Sequence, residues 1–234
     1  MTGKLFLIPV PISMGDISWV LPAIVQQRVA EIAHFVVEHP KTARQFLKQI
    51  NSKFSLRDLS MQTLNEHTSD KDLLSFLSPL FAGNDVGLLS EAGCPAVADP
   101  GAGLIRLAHK NAITVIPLVG PSSILLALMA SGLNGQHFAF QGYLPIDNTA
   151  RTKKIIELEK LSINQDQTQI FIETPYRNQK LIEQLVAICA DNTDLCIASY
   201  LTSSHEKITT KSIKEWRNSL PDINKLPAIF LLHG

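Results

Sequence analysis

Short apolar runs alternate along the chain with segments whose apolar residues recur at helical spacing. Runs of about five apolar residues predict strands that are covered on both faces of a sheet. The predicted strands are Leu5–Pro9, His34–Glu38, Met61–Leu64, Val86–Ser90, Thr114–Leu118, Ala139–Tyr143, Gln169–Glu173, Leu195–Leu201 and Ala228–His233. The predicted helices are Pro22–Glu31, Lys41–Ile50, Lys71–Ala82, Leu104–Asn111, Ser123–Ser131, Thr149–Leu161, Pro175–Ala190 and Lys211–Ser219. Strand and helix alternate over the whole length, which predicts an α/β architecture.

The strand pattern divides the chain into two parts. It pauses at the Gly- and Pro-containing stretch after Leu118 and restarts with the predicted strand that ends at Tyr143. We therefore expect an α/β protein with two lobes, residues 1–118 and 119–234. The helix predicted from Lys71 can be capped by the preceding Ser or Asp, and a Thr-Pro pair at 174–175 offers a similar helix start.

Composition narrows the class of protein. Of the 234 residues, 45% are hydrophobic and 18% are charged, which is typical of a globular chain rather than a disordered one. Lys and Arg together number 21, and so do Asp and Glu. The chain therefore lacks the basic excess of proteins that coat nucleic acid non-specifically, although a local basic patch stays compatible with this balance.

The cysteines and the apolar segments of the sequence indicate the cellular compartment in which the protein is expected. Cys94, Cys189 and Cys196 are odd in number and have no C-x-x-C spacing, which favours a reducing, cytoplasmic environment. The N-terminal apolar run is too short for a signal peptide, and no histidine spacing suggests a metal site. The uncharged residues 115–133 approach membrane-spanning length, but Pro117 and a Gly-Pro pair predict a short strand and a short helix there. We expect neither a bound metal nor a membrane partner.

Three turns rich in Pro and Gly each follow a predicted strand. The first turn is residues 8–18, the second turn is residues 90–101 and the third turn is residues 117–123. Ligands of open α/β sheets bind beyond the carboxyl ends of the strands, so three such turns can line one cleft. Nucleotide motifs do not fit, because no Walker A sequence is present and the G-x-G at Gly101 has Arg106 where a third Gly is needed.

The second and third turns suit charges of opposite sign. The helix predicted after the third turn is apolar on all sides, and the free N–H groups at the start of a buried helix suit a carboxylate or phosphate. Ser122 and Ser123 add hydroxyl donors there, although one of them can equally be an ordinary N-cap. Glu91 and Asp99 suit a cation or hydroxyl donors, but an Asx turn before Pro100 is the favoured interpretation of Asp99. A ligand with both a carboxylate and a cationic centre would satisfy both turns.

Several stretches, taken in order, carry a family resemblance. They are IPVPISMGDIS, SEAGCPAVADPGAGLIRLA, VIPLVGPSSILLALMASGL, FQGYLP, FIETPYRNQKLIEQL, YLTSSHEKI and PAIFLL. Over nearly its whole length the chain resembles the tetrapyrrole methylase superfamily, the class III S-adenosylmethionine-dependent methyltransferases. It is most similar to the small-subunit ribosomal RNA ribose 2′-O-methyltransferases within that superfamily. The resemblance implies two α/β lobes with a cofactor cleft between them, S-adenosylmethionine as cofactor, S-adenosylhomocysteine as product, and a homodimer.

The resemblance also implies which residues contact the cofactor. The first two turns would supply Pro9, Pro11, Ser90, Glu91, Ala92 and Cys94. The third turn would supply Ser122 and Ser123, and the second lobe would supply Glu173, Thr174, Pro227 and Ala228.

The chain departs from the family pattern at several positions. Residues 13–15 read Ser-Met-Gly where relatives have Gly-Asn-Leu, and residues 91–94 read Glu-Ala-Gly-Cys where relatives have Asp-Ala-Gly-Thr. Residues 37–44 contain extra residues within the cluster that relatives show as Ala-Glu-Asp-Thr-Arg. The chain also ends at Gly234, whereas the ribosomal RNA enzymes continue into a small helical module.

The expected reaction is methyl transfer to RNA, at a ribose 2′-hydroxyl of small-subunit ribosomal RNA, with that RNA or the small subunit as partner. Two alternatives stay open: methylation of a tetrapyrrole or other small molecule, and a non-catalytic relative that only binds S-adenosylmethionine. A ribose hydroxyl needs a base. The candidates are Glu38, Glu66 with the adjacent His67, and Glu206, each of which can equally be a surface residue.

Overall fold

The structure, a computed structural model, describes residues 2–65 and 68–234, with the backbone alone at 70 and 71. Strands and helices alternate through these residues. The strands are β1 (Leu5–Ile8), β2 (His34–Val37), β3 (Ser60–Thr63), β4 (Val86–Leu89), β5 (Val115–Pro117), β6 (Phe138–Tyr143), β7 (Thr168–Ile172), β8 (Asp194–Ser199), β9 (Lys207–Ser212) and β10 (Ala228–His233). The α-helices are α1 (Ala23–Ala30), α2 (Pro40–Gln49), α3 (Asp70–Phe76), α4 (Ser78–Phe81), α5 (Ala102–Lys110), α6 (Ser123–Ser131), α7 (Asn148–Gln165), α8 (Asn178–Ile188) and α9 (Ile213–Asn218).

The chain forms two compact units, residues 1–122 and residues 123–234, called here the first unit and the second unit. The first unit contains a five-stranded sheet in the order β3-β2-β4-β1-β5. All its neighbouring strands run parallel. The carboxyl ends of β1, β2, β4 and β5 therefore lie along one edge of this sheet, and the three Pro- and Gly-rich turns leave from that edge.

Apolar side chains cover both faces of the first sheet, as the continuous apolar runs predict. Phe35 and Val37 of β2 pack in a cluster with α1 and α2, while Val36 between them packs in a second cluster with α3, α4 and α5. A Cβ atom added at Gly87, on β4, would lie 2.5 Å from Ile8 Cδ1 and 2.8 Å from Phe35 Cδ1. Gly87 therefore allows the side chains of both neighbouring strands to meet over β4.

The second unit contains a mixed sheet in the order β6-β7-β10-β8-β9. Only β6 and β7 run parallel, and the remaining neighbours are antiparallel. Phe171 and Phe230 stack with their ring centroids 5.9 Å apart, within a core that also takes residues from α7, α8 and α9. Helix α6 packs against β8, β9 and β10.

One strand and several helix boundaries differ from the sequence-based prediction. The prediction missed β9 and began the following helix at Lys211, because the polar run 207–212 has no apolar signal beyond Ile208. A capping box of Ser212 and Glu215 begins α9 two residues later than predicted. The predicted helix 71–82 is divided at Leu77, just before Pro79, which has no N–H to donate to the helix.

Of two further expectations about the helices, one is confirmed and one is wrong. Ser69 caps α3 as predicted, in a capping box with Asp72. The expectation that α6 is buried on all sides is wrong, because Leu125 is 52% exposed and Met129 is 81% exposed. Only one side of α6, including Ala127 and Leu128, is buried. In the two stretches that the structure describes, no helix is both long enough and apolar enough to cross a membrane.

Replacing Gly87 by Ala tests the close packing over β4. The added methyl group would force Ile8 and Phe35 apart, and overpacking of this kind costs about 1–3 kcal/mol of unfolding free energy. We expect a lower urea midpoint for the G87A variant. Gly15→Ala is the matched control, since nothing lies within 4 Å of its added Cβ. Equal midpoints for the two variants would contradict the packing constraint.

Candidate functional site

The first and second turns are joined by their backbones. Val10 N donates to Gly93 O at 2.9 Å, and Gly93 N donates to Val10 O at 3.1 Å. This isolated antiparallel bridge lies just beyond the carboxyl ends of β1 and β4, which are neighbours in the sheet. Parallel strand pairing thus brings together two segments that are about eighty residues apart in sequence. The bridge then fixes the position of one turn relative to the other.

The third turn lies against the first two. A Cβ atom added at Gly120 would lie 2.3 Å from Pro9 Cβ and 2.9 Å from Leu21 Cδ2, so only Gly fits at this contact. The Cys94 thiol donates to Pro121 O at 3.4 Å, which joins the second and third turns. The three turns therefore contact one another at one edge of the first sheet, and the expectation that they line one cleft stays a prediction.

The second turn has a strained interior. Ala96 and Ala98 both adopt left-handed backbone conformations, with φ of 64° and 63°. Such values are uncommon for residues other than Gly and cluster at functional sites. At the start of the turn, Ser90 is buried, and its hydroxyl lies 3.4 Å from Gly93 O. Ala92, by contrast, is exposed.

Carboxylates from two strand ends gather beside the second turn. Glu38, which follows β2, accepts a hydrogen bond from Glu91 N at 3.2 Å. Glu91 in turn accepts from the Thr42 hydroxyl at 2.5 Å, and its carboxylate lies 3.8 Å from His39 Nδ1. Helix α2 therefore supports Glu91, a contribution that the sequence analysis missed. Its only sequence signal was that α2 begins directly after β2, at the same edge of the sheet.

The environment of Glu38 and Asp99 disfavours the ionisation of their carboxyl groups. Burial raises the pKa of the Glu38 carboxyl, and the negative charges of Asp99 and Glu91 add to this effect against the Glu91 N–H and His39. Burial also raises the pKa of Asp99, with a further contribution from Glu91. Within the described part of the chain, no Lys or Arg forms an ion pair with these three residues. A cationic ligand group would therefore be stabilised beside them.

A cavity of about 260 Å³ opens next to this cluster. Its walls come from the first turn, from α2 and from residues 90–92 of the second turn. Among the predicted cofactor contacts, four line this cavity: Pro11, Ser90, Glu91 and Ala92. Pro9 of the first turn is buried, and Ser122 and Ser123 are half-buried at the end of the third turn and the start of α6.

The candidate residues of the second unit lie at one edge of its own sheet. Ala228 begins β10 opposite Ser199 of β8, and Glu173 directly follows β7 on the other side of β10. The Asn178 side chain donates to Leu226 O at 2.6 Å, which joins the segment after β7 to the segment before β10. Glu173 and Thr174 therefore lie near Pro227 and Ala228.

Glu173 has a buried carboxylate with one unused oxygen. Its Oε1 accepts from Thr174 N and from Arg177, both at 2.6 Å. Its Oε2 is buried and has no hydrogen-bond partner among the residues described. A buried acceptor of this kind is costly unless it is satisfied by a water or a ligand.

The remaining candidates for the catalytic base are Glu206, Glu66 and His67. Glu206 is exposed, and its Oε2 accepts from Thr202 N at 2.7 Å, within the turn between β8 and β9. This hydrogen bond gives Glu206 a local structural role. Glu66 and the adjacent His67 lie outside the described residues.

Comparison with known sequences gives a consistent result. The family model of Tetrapyrrole (Corrin/Porphyrin) Methylases matches residues 22–216. A protein of Vibrio cholerae is 28% identical over 98% of this chain and 77% of its own length. A protein of Haemophilus influenzae is 29% identical over 73% of this chain and 60% of its own. A protein of Micromonospora olivasterospora is 32% identical over 92% of this chain and 64% of its own. Each is named ribosomal RNA small subunit methyltransferase I.

Solved structures show the same fold. The methyltransferase CobJ matches with a TM-score of 0.65 at 16% identity, over 100% of this chain and 95% of its own. The cobalamin biosynthetic enzyme CbiF, cobalt precorrin-4 methyltransferase, matches with a TM-score of 0.62 at 12% identity, over 98% of this chain and 94% of its own. The predicted fold class is confirmed, and so is the prediction of a methyltransferase that uses S-adenosylmethionine. The chain belongs to the tetrapyrrole (corrin/porphyrin) methylase family.

Proposed function

We propose that this chain transfers a methyl group from S-adenosylmethionine to a ribose 2′-hydroxyl of small-subunit ribosomal RNA. The observation that carries this proposal is the joining of three Pro- and Gly-rich turns at one sheet edge, beside carboxylates without Lys or Arg partners among the residues described. The names of the relatives support the choice of RNA as acceptor. Homodimer formation and a cytoplasmic location complete the proposal, and the exposed Leu125 and Met129 of α6 favour association with another copy.

The proposed cofactor contacts suit the chemistry of S-adenosylmethionine. That molecule carries a carboxylate, a ribose diol and a sulfonium centre with a transferable methyl group. In the first unit we assign Pro9, Pro11, Ser90, Glu91, Ala92, Cys94 and Ser122 to it. Glu91 offers a carboxylate to hydroxyl donors and to positive charge, and Ser122 lies beside the start of α6, where free N–H groups favour a carboxylate.

The second unit supplies the remaining proposed contacts. They are Ser123, Glu173, Thr174, Pro227 and Ala228. The unused Oε2 of Glu173 supports this assignment, because a hydroxyl or amino donor of a ligand would satisfy it. The cofactor cleft that the resemblance implies between two lobes stays a prediction.

Alignment of the 2′-hydroxyl with the methyl group would provide much of the rate enhancement. Transfer forms a bond between the 2′-oxygen and the methyl carbon, breaks the bond from that carbon to sulfur, and releases the hydroxyl proton. Good alignment of such a pair can lower the barrier by about 7–11 kcal/mol in favourable cases. The bridge between Val10 and Gly93 supports this role, since it fixes two of the turns proposed to hold the cofactor.

Among the base candidates, we favour Glu38 as acceptor of the hydroxyl proton. Its raised pKa lies closer to neutral pH than that of an ordinary carboxyl, which suits a general base. Its hydrogen bond from Glu91 N holds the carboxylate at the carboxyl edge of the sheet. Glu206 is instead occupied by the turn between β8 and β9.

Methyl transfer to ribosomal subunits tests the proposed function. The acceptors are small ribosomal subunits from a strain that lacks the gene, together with protein-free small-subunit RNA and a tetrapyrrole. We expect methyl incorporation into the RNA of the subunits and none into the tetrapyrrole. Tetrapyrrole methylation would support the small-molecule alternative. Cofactor binding without transfer to any acceptor would support a non-catalytic relative.

Replacing Ala92 by Trp tests the cofactor assignment. Ala92 is exposed and lines the cavity, so an indole would fill space there without disturbing the core. We expect calorimetry to show S-adenosylmethionine affinity reduced by about tenfold or more, a loss of at least ~1.4 kcal/mol. Ala82→Trp, at an exposed position after α4, is the control and should bind normally. Unchanged affinity in the Ala92 variant would remove this turn from the cofactor site.

Replacing Glu38 by Gln separates its chemical role from a structural one. The amide oxygen can still accept from Glu91 N, so we expect cofactor affinity to be retained while turnover falls by about 10²–10⁴-fold. The acidic limb of the pH profile should disappear. A variant that keeps wild-type turnover and pH profile would rule out Glu38 as the base.

The same variant should change how stability depends on pH. Because the folded-state pKa of Glu38 is raised, its favourable contribution is present below the ordinary carboxyl pKa and is lost as the pH rises through the raised value. Denaturant unfolding between about pH 4 and pH 8 should therefore show a flatter stability curve for Glu38→Gln than for the wild type.

A further inference from the structure

A groove of about 260 Å³ lies in the second unit and extends along β8 as far as Ser199, the strand partner of Ala228. It is bounded by β8, by the edge strand β9, by Trp216 of α9 and by the segment 219–223. Ile197 and Ile223 contribute apolar surface, and Ser199, Thr209 and Ser219 contribute hydroxyl groups. The groove thus offers hydrogen-bonding groups above an apolar floor.

Two lysines give the groove a positive charge. Lys207, Thr209 and Lys211 alternate along β9, so their side chains lie on one face of the strand, and all three line the groove. The residue between them, Thr210, belongs to the opposite face, where its hydroxyl donates to Ser131 O of α6 at 2.7 Å. The edge strand therefore presents one basic face and one face fixed against a helix.

Neither lysine is neutralised by an ion pair within residues 2–65 and 68–234. The ammonium group of Lys211 lies 4.8 Å from the centroid of the Trp216 ring. This contact orients the ammonium group without placing a carboxylate at ion-pair distance from it. The ring itself is fixed, because Trp216 Nε1 donates to Leu195 O at 2.8 Å. The carboxylate of Glu215 accepts hydrogen bonds from Ser212 at the start of α9, and these bonds, with a smaller contribution from the charge of Lys211, lower the pKa of Glu215.

We infer that this groove binds the phosphodiester backbone of RNA. Lys207 and Lys211 are four residues apart on an extended strand, and therefore about 13 Å apart along the chain. A polyanion can contact both ammonium groups, whereas a single small anion bridges that distance poorly. The hydroxyl groups between them can also hydrogen-bond to ribose 2′-hydroxyls, which distinguish RNA from DNA.

The formal charge balance of the whole chain strengthens this inference. With equal numbers of basic and acidic residues, the protein has no general attraction for nucleic acid. Affinity for an RNA acceptor must therefore come from local clusters of positive charge. The inference rests on the proposed function, because it assigns an RNA-contacting surface to a chain proposed to methylate RNA.

The test compares two double variants that lose the same charge. Lys207→Met with Lys211→Met removes both ammonium groups of the groove while the aliphatic stem over Trp216 is retained. Lys153→Met with Lys160→Met, on exposed positions of α7, is the matched control. Binding of a fluorescent single-stranded RNA oligonucleotide is measured over a range of salt concentrations, and S-adenosylmethionine binding is measured by calorimetry.

We expect the groove variant to lose two phosphate contacts. The slope of log affinity against log salt should become shallower by about 1.4, and RNA affinity at 0.1 M salt should fall by about 10–30-fold. Cofactor affinity should stay at the wild-type value, which also shows that the variant is folded. The control variant should keep the wild-type salt slope.

Two results would overturn the inference: wild-type RNA affinity and slope in the groove variant, or an equal loss in the control. Binding of polyglutamate in place of RNA would also overturn it, in favour of an acidic protein partner. Failure of the proposed function gives a different pattern of results. The methyl-transfer assay would then be negative, while the groove variant would still show a shallower salt dependence of RNA binding than the wild type.

Discussion

The backbone pair between Val10 and Gly93 is the constraint on which the candidate site of the first unit depends. Parallel pairing of β1 with β4 brings the two turns to the same edge, and a separate antiparallel bridge joins their backbones beyond the strands. The third turn can join them only because Gly120 has no side chain to collide with Pro9. Regular sheet geometry thus places the turns at one edge of the sheet. The bridge between Val10 and Gly93 and the absence of a side chain at Gly120 then allow the three turns to contact one another.

This arrangement has an electrostatic cost. Glu38, Glu91 and Asp99 lie near one another at one edge of the sheet, and burial raises the pKa of Glu38 and of Asp99. Packing alone gives no reason for this grouping, since apolar residues at the same positions would avoid the repulsion. The grouping is reasonable for a site that receives a positively charged ligand, because the ligand then relieves the repulsion. Stability sacrificed at a site is a common feature of functional surfaces.

Much of the first unit could be predicted from sequence because its strands are continuous apolar runs and its ligand-side turns contain Pro and Gly. The meeting of those turns followed from a general rule about parallel sheets. The support of Glu91 by Thr42 could not be predicted, because it joins residues 49 positions apart through side chains alone.

The second unit was less predictable for physical reasons. Strand β9 is polar, and its signal comes from pairing with β8 rather than from its own hydrophobicity. The direction of each strand in the mixed sheet also has no signature in local sequence. Helix α6 looked fully buried because every position is apolar or small, yet Leu125 and Met129 are exposed. An apolar composition indicates that a helix surface can be buried. The structure is needed to show which side of α6 is buried within one chain.

The Cys94 thiol has a consequence for the chemical conditions under which the turns stay joined. Its hydrogen bond to Pro121 O requires a proton on sulfur, and burial raises the thiol pKa, so the proton is retained at neutral pH. A protonated thiol is a poor nucleophile, which makes the residue slow to react with alkylating agents and peroxides. Once oxidised to a sulfinate, however, the same atom would present negative charge to a carbonyl oxygen. The contact between the second and third turns therefore lasts only as long as the sulfur stays reduced.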